Sequence, residues 1–420
     1  MSYRLKYFFG IENAINLVKR AVRSAYQSVT ELDKAMTATA VVTNFTVGDM
    51  WEKLPEYTKM ANKLGATTQG AYETSTLYYQ QGLNTAQVMA ISTETMKMAR
   101  IAGMEYADAT NMMTAALRGF NMAINEQSAT RVNDVYSELA AITAADTNQI
   151  ATAMTKTASI AASANMEFET TAAFLSQIIE TTQEAPETAG TALKTIIARF
   201  TEVKKLYSEG DLLGQDEEGE AIDVNKIQTA LRSIGISMTE FFRGEEGLDD
   251  VLLRLAEKWD TLDLTTQRYI ATTAAGSRQQ SRFLAMMGNY DRTMELVEAA
   301  NNSAGASQEQ FDKTLESLES KVNQLNNAWQ AFTMSLADDG LIKGAVDSLT
   351  ALLNAINGIT DAFGKGSGIM KLLLAGGLFK LGTGLVGGLR QYATDLHAGT
   401  GTNRSFAMGM SKAMGWGTLA

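Results

Sequence analysis

Hydrophobic positions in the first forty residues recur at alternating steps of three and four. Phe8, Ile11, Ile15, Val18, Val22, Ala25, Val29, Leu32 and Met36 form a stripe about four heptads long, with Lys19, Arg20, Arg23 and Glu31 among the residues between. Such a repeat puts one apolar face on a helix, and that face needs a partner surface. Both its own domain and another copy in a bundle fit the pattern. A second stripe, Phe311, Leu315, Leu318, Val322, Leu325, Trp329, Phe332 and Leu336, steps by 4, 3, 4, 3, 4, 3 and 4. Polar residues fill its gaps, among them Glu316, Glu319, Lys321, Asn323, Gln324, Asn326 and Asn327. This pattern predicts a coiled-coil-like helix, with a seam for helix association either inside the chain or between chains.

An internal repeat lies between the two stripes. Thr85-Ala86-Gln87-Val88 returns 62 residues later as Thr147-Asn148-Gln149-Ile150. In the same ungapped register, Gly103-Met104-Glu105-Tyr106 meets Asn165-Met166-Glu167-Phe168, and 8 of 34 positions are identical. The reading is two copies of a helix–turn–helix unit, with Gly103 and Asn165 as turn residues that tolerate positive φ. Methionines 96, 98, 104, 112, 113 and 122 fit as fillers of gaps between helices.

The tail after residue 363 changes character. Glycine is dense from Gly364 to Gly388, and the stretch Leu372 to Leu389, including Leu373 and Leu374, is apolar except for Lys380 and Thr383. As a membrane span it is marginal, since a spanning helix needs about 20 apolar residues and a central charge is costly. Gly384 and Gly388 form a G-x-x-x-G pair that lets helices approach closely, so this is a candidate membrane-active segment. The expected fold is all-α: stacked helical hairpins, long coiled-coil-like helices at both ends and a Gly-rich hydrophobic tail. The expected segments are an N-terminal heptad helix (1–40), a duplicated hairpin core (41–205) and an acidic loop (206–225). A helical subdomain (226–304), a coiled-coil-like helix with hairpin (305–363) and the tail (364–420) follow.

Composition narrows the chemistry. The 420 residues hold 2 prolines, 1 histidine and no cysteine. Scarce proline suits long helices, because proline breaks helix interiors. Without cysteine there is no disulfide, thiolate metal site or cysteine nucleophile. His397 stands alone, which excludes any site that needs two imidazoles. The net charge of −11, from 36 basic and 47 acidic residues, opposes a phosphate backbone, so no specific nucleic-acid binding is expected.

The remaining motifs read as structure. Gly382, Gly384 and Gly387 match G-x-G-x-x-G, but no βαβ alternation surrounds them and the next acid, Asp395, comes too soon for a dinucleotide site. The acidic stretch Glu209 to Asp223 lacks the ligand spacing of an EF-hand calcium loop and reads as a solvated loop. Glu316-Ser317 matches the Glu-Ser pair of lysozyme-like transglycosylases, but none of that family's other motifs accompany it. No catalytic residue, cofactor or metal is expected, and the chain reads as non-enzymatic.

Several segments in order resemble phage tail tape measure proteins of the minor tail protein family. They are Glu31-Leu32-Asp33-Lys34-Ala35-Met36, Ala61-Asn62-Lys63-Leu64-Gly65-Ala66-Thr67, Tyr78-Tyr79-Gln80-Gln81-Gly82-Leu83-Asn84 and Leu117-Arg118-Gly119-Phe120. Ala189-Gly190-Thr191-Ala192-Leu193-Lys194, Leu253 to Trp259, Ala275-Gly276-Ser277-Arg278 and Leu325 to Phe332 continue the likeness, which covers about residues 5–365. The resemblance implies a structural ruler inside the tail tube that sets tail length during assembly and leaves on infection to help deliver the genome. It implies partners among the tail tube protein, tail assembly chaperones and distal tail proteins, while the regularity of the two stripes adds the expectation of self-association. The implied locations are the tail tube lumen of the virion, the host cytoplasm during assembly and the host membrane on ejection. A fully helical chain would span at most roughly 630 Å. Members of that family are mostly longer, so the chain is either a short ruler or one segment of a larger protein. The alternative, drawn from the Gly-rich tail, is a membrane-active, pore-forming helical protein.

Overall fold

The computed structural model describes residues 29–201, 226–335 and 354. All regular structure among them is α-helical, as the sequence predicts. The two prolines interrupt nothing: Pro55 and Pro186 stand in the first turns of α3 (Leu54–Lys63) and α10 (Pro186–Phe200), where a missing N–H is harmless. The chain divides into two compact units, one of residues 1–76 with 314–420 and the other of residues 77–313.

In the first unit, α1 covers residues 29–41, followed by α2 (Val47–Glu52), α3 and the beginning of α4 (Thr68–Gln80). Leu32 and Met36, the last two positions of the N-terminal stripe, are fully buried. Positions Phe8 to Ala25 of that stripe lie outside the described residues. The rings of Tyr57 and Tyr72 stack at 3.9 Å, and the Tyr72 hydroxyl donates to the Met50 carbonyl at 2.7 Å. The unit closes with the end of α16 (Ala306–Leu315) and with α17 (Leu318–Ser335).

The second unit carries the repeat. Its first copy is α5 (Thr85–Ala102) and α6 (Tyr106–Gly119); its second is α8 (Thr147–Ser163) and α9 (Phe168–Thr182). Each copy opens with a reciprocal cap: Asn84 with Gln87 in one, Asp146 with Gln149 in the other. Gly103 and Asn165 both take left-handed φ, 62° and 54°. The register continues past the hairpin, since Asn121 and Gln183, also 62 apart, have φ of 52° and 53°. Met96, Met98 and Met113 are buried as gap fillers.

The two copies share a register but not an environment. Helix α6 buries one face, Ala109, Met113, Ala116 and Leu117, whereas α9 is buried all round from Phe168 to Ile179. The difference follows from the neighbours. Helix α9 packs against α7 (Glu126–Ile142), α8, α10, α14 (Leu264–Met287) and α15 (Tyr290–Asn301). The expected helical subdomain (226–304) opens with α11 (Lys226–Ser233), α12 (Thr239–Arg243) and α13 (Leu248–Trp259). Gly244 and Gly247 lie between the last two. An additional break falls before α12, where Gly235 has φ 76°.

Candidate helix-association surfaces

The late stripe is not carried by one continuous helix. Helix α16 ends at Leu315 and α17 begins at Leu318, so Glu316-Ser317 is a break and not an outward-facing turn of a coiled coil. The cause is local. The Ser317 hydroxyl accepts the Ser320 N–H at 3.2 Å, capping the new helix, and the Ser320 hydroxyl donates back to the Thr314 carbonyl at 2.8 Å. Phe311 is buried in the 77–313 unit, while Leu315, Leu318, Val322, Leu325 and Trp329 belong to the other unit, and all five are half-buried. Phe332 lies in α17, its side chain outside the described set, and Leu336 is outside as well. The candidate membrane-active residues Leu372, Leu373, Leu374, Gly384 and Gly388 also fall outside the described residues.

The hydrogen bonds that dock helix α17 come from the residues between its apolar positions. Ser320, Asn327 and Ala328 are buried. Asn327 donates to the Asn62 side-chain oxygen at 2.9 Å and to the Ala66 carbonyl at 2.8 Å. Its own oxygen accepts from the Thr68 N–H at 3.1 Å and the Thr68 hydroxyl at 3.2 Å. All four hydrogen-bonding positions of the amide are thereby used. Asn323 donates to the Gly65 carbonyl at 2.9 Å and Gln324 to the Asn62 carbonyl at 3.2 Å. These amides satisfy the backbone groups that the end of α3 and the turn into α4 would leave open. Gly65, at φ 59°, completes the fit, because a Cβ there would stand 2.6 Å from the Ser320 hydroxyl. Two of the segments that carry the family likeness, Ala61–Thr67 and Leu325–Phe332, therefore meet in space.

In the other unit, α8 is approached closely by two helices. A Cβ on Gly119 of α6 would lie 2.5 Å from the Ala158 Cβ, and one on Gly190 of α10 would lie 2.3 Å from the Ala153 carbonyl oxygen. The face between them is small and buried: Ala151, Ala153, Ala158 and Ala161. Thr157 fixes the second crossing by donating to the Gly190 carbonyl at 2.9 Å. Here smallness replaces a leucine seam, trading side-chain area for backbone proximity.

Three buried carboxylates have no counterpart in the sequence pattern. Asp249, at the start of α13, accepts the Glu167 N–H at 2.9 Å, while the Leu248 N–H donates to the Ala164 carbonyl at 3.0 Å. Together they clamp the turn of the second repeat. Burial pushes the Asp249 carboxyl up to about 6, with the charge of Asp250 adding and the Glu167 N–H opposing. Asp134 of α7 accepts from the Gly305 and Ser307 N–H groups, each at 3.0 Å, and so caps α16 from another helix. Glu169 of α9 pairs with Arg131, whose guanidinium its hydrogen bond holds above the usual range. Asp134, Glu169 and Arg131 border an open cleft of about 690 Å³. Among the described residues no cluster of three His, Cys, Asp or Glu side chains could hold a metal.

These features define a class first: an all-α protein of duplicated, closely packed helical hairpins whose buried polar groups join helices to turns. The chain belongs to the phage-related minor tail protein family, whose model matches residues 58–276, just over half of its length. It is also similar to the tape measure protein of Pneumococcus phage Dp-1, with 24% identity over 309 residues. That alignment covers 72% of this chain but 24% of the relative, so the chain spans about a quarter of that protein's length. No solved structure matches it.

Proposed function

We propose that this chain acts in, or as a segment of, a tape measure: a non-enzymatic ruler that lies in the tail tube and sets tail length during assembly. The observation that carries this reading is the similarity over 72% of the chain to a protein named for that role. The helical, proline-poor composition supports it, since length along a helix is fixed at about 1.5 Å per residue. The duplicated hairpins of the core are a means of adding such length by repetition. On this reading the chain works with the tail tube protein, assembly chaperones and distal tail proteins. It associates with further copies through the half-buried positions Leu318, Val322 and Leu325.

In-frame deletions test the role directly: tails should shorten in proportion to the residues removed, and tails of unchanged length would refute it. Release into the host envelope is the second half of the proposal, and it rests on the apolar tail. No helix among the described residues is long and apolar enough to cross a membrane. Leakage of liposomes that depends on residues 364–390 would support that step, and an inert tail would remove it.

A further inference from the structure

Helix α14 is bent at one residue. It consists of two helical stretches, 264–275 and 277–287, that meet at Gly276, whose φ of 69° and ψ of 171° are a conformation essentially confined to glycine. Arg199 of α10, itself exposed, reaches the bend. Its Nη2 would stand 2.7 Å from a Cβ on Gly276, and its Nη1 donates to the Thr273 carbonyl at 3.3 Å. In an unbroken helix that carbonyl would receive the Ser277 N–H instead. The guanidinium thus takes the place of a missing helical hydrogen bond.

The bend decides which side chains reach the core. The first half of α14 buries Ile270, Ala271, Ala274 and Ala275, and the second half buries Phe283, Met286 and Met287. On a straight helix the centres of these two faces would point roughly 140° apart. One core can bury both only because the helix changes direction between them. In the bent form the Phe283 ring packs edge-on against Trp259 at 5.7 Å. Neither half contains proline, and Gly276 carries the non-helical φ/ψ inside α14, so a single residue's backbone separates the bent form from a straight one.

We propose that α14 is a conformational switch: Arg199 holds it bent at Gly276 in the compact unit, and withdrawal of α10 lets it close into one continuous helix that turns the Phe283, Met286 and Met287 face out of this core. The straight form is about 36 Å long and offers an apolar face to another helix. The switch follows from α10 and α14 alone and does not depend on the ruler reading.

The chain has no cysteine, so two introduced by Thr265→Cys and Ser281→Cys at exposed positions take spin labels uniquely in the full-length protein. In a straight helix these positions are about 24 Å apart. The expected result is a single shorter distance in the otherwise unaltered chain. Gly276→Ala, which cannot adopt the bend, should move the dominant population to the straight-helix value. Arg199→Ala, which leaves the backbone untouched, should give both populations. The short distance persisting in both variants would overturn the proposal. So would a Gly276→Ala chain that simply loses helical signal while Arg199→Ala keeps the short distance alone, since Gly276 would then be a fixed bend. A straight-helix distance in the unaltered chain would overturn it too.

Discussion

Helices α8 and α17, one in each unit, are both held in place without a leucine seam, and by opposite means. Helix α8 is met by glycines, so that α6 and α10 come within backbone range of its alanines. Helix α17 is met by the open backbone groups of a turn, and it answers with amide side chains at Asn323, Gln324 and Asn327. The first arrangement gains from dispersion at close range, and steric bulk breaks it. The second gains from satisfying buried polar groups, and removal of a donor or acceptor breaks it. The apolar stripe of α17 is half-buried from Leu318 to Trp329, and the hydrogen bonds that fix the helix to its own unit come from residues between the stripe positions.

Substitutions that exchange the two chemistries sharpen the contrast. The largest effect is expected for Gly190→Leu, whose side chain would have to enter the backbone of α8 beside Ala153. A loss of about 3 kcal/mol should appear in denaturant unfolding of the 77–313 unit. Unaltered stability would mean that the crossing is looser than the geometry requires.

The next effect is one of pH. Asp249 titrates near 6 in the folded chain against 3.8 when unperturbed, because burial disfavours its charge. A raised folded value contributes stability below the unfolded value that is lost as pH rises through the folded one. Stability should therefore fall between about pH 4 and pH 6, and Asp249→Asn should flatten that part of the profile. An identical slope in the variant would assign it to other groups.

The smallest effect is expected for Leu318→Asp. The position is half-buried at the first turn of α17, so unfolding should change by about 1 kcal/mol or less. Its readout is association. Light scattering should show smaller assemblies than the unaltered chain forms, and an unchanged compact monomer for both would end the self-association proposal.

The sequence was readable wherever cause and effect lie close together. The all-α fold follows from periodicity, and the turn residues Gly103 and Asn165 follow from the repeat, both with the positive φ anticipated. The break at Glu316-Ser317 was hidden because apolar spacing runs through it undisturbed. Its cap, Ser317 to Ser320, left only a short polar signature. Asn327 reads as a polar filler because its partners Asn62, Ala66 and Thr68 lie some 260 residues earlier. Asp134 and Asp249 are similar cases. They cap backbone groups 171 and 82 residues away in sequence, and no local rule connects a carboxylate with an N–H at that distance. Gly119 and Gly190 were within the segments that suggested the family, but their purpose emerges only once α8 lies between α6 and α10.

The amides of α17 set its seat on the turn between α3 and α4. Hydrogen exchange at the Thr68 amide in an Asn327→Leu chain tests it most directly. The substitution enlarges the apolar surface of α17 while removing the acceptor of that N–H. Thr68 should lose protection, with destabilisation of about 2 kcal/mol. Protection equal to or greater than that of the unaltered chain would show that hydrophobic contact seats the helix, and would contradict it.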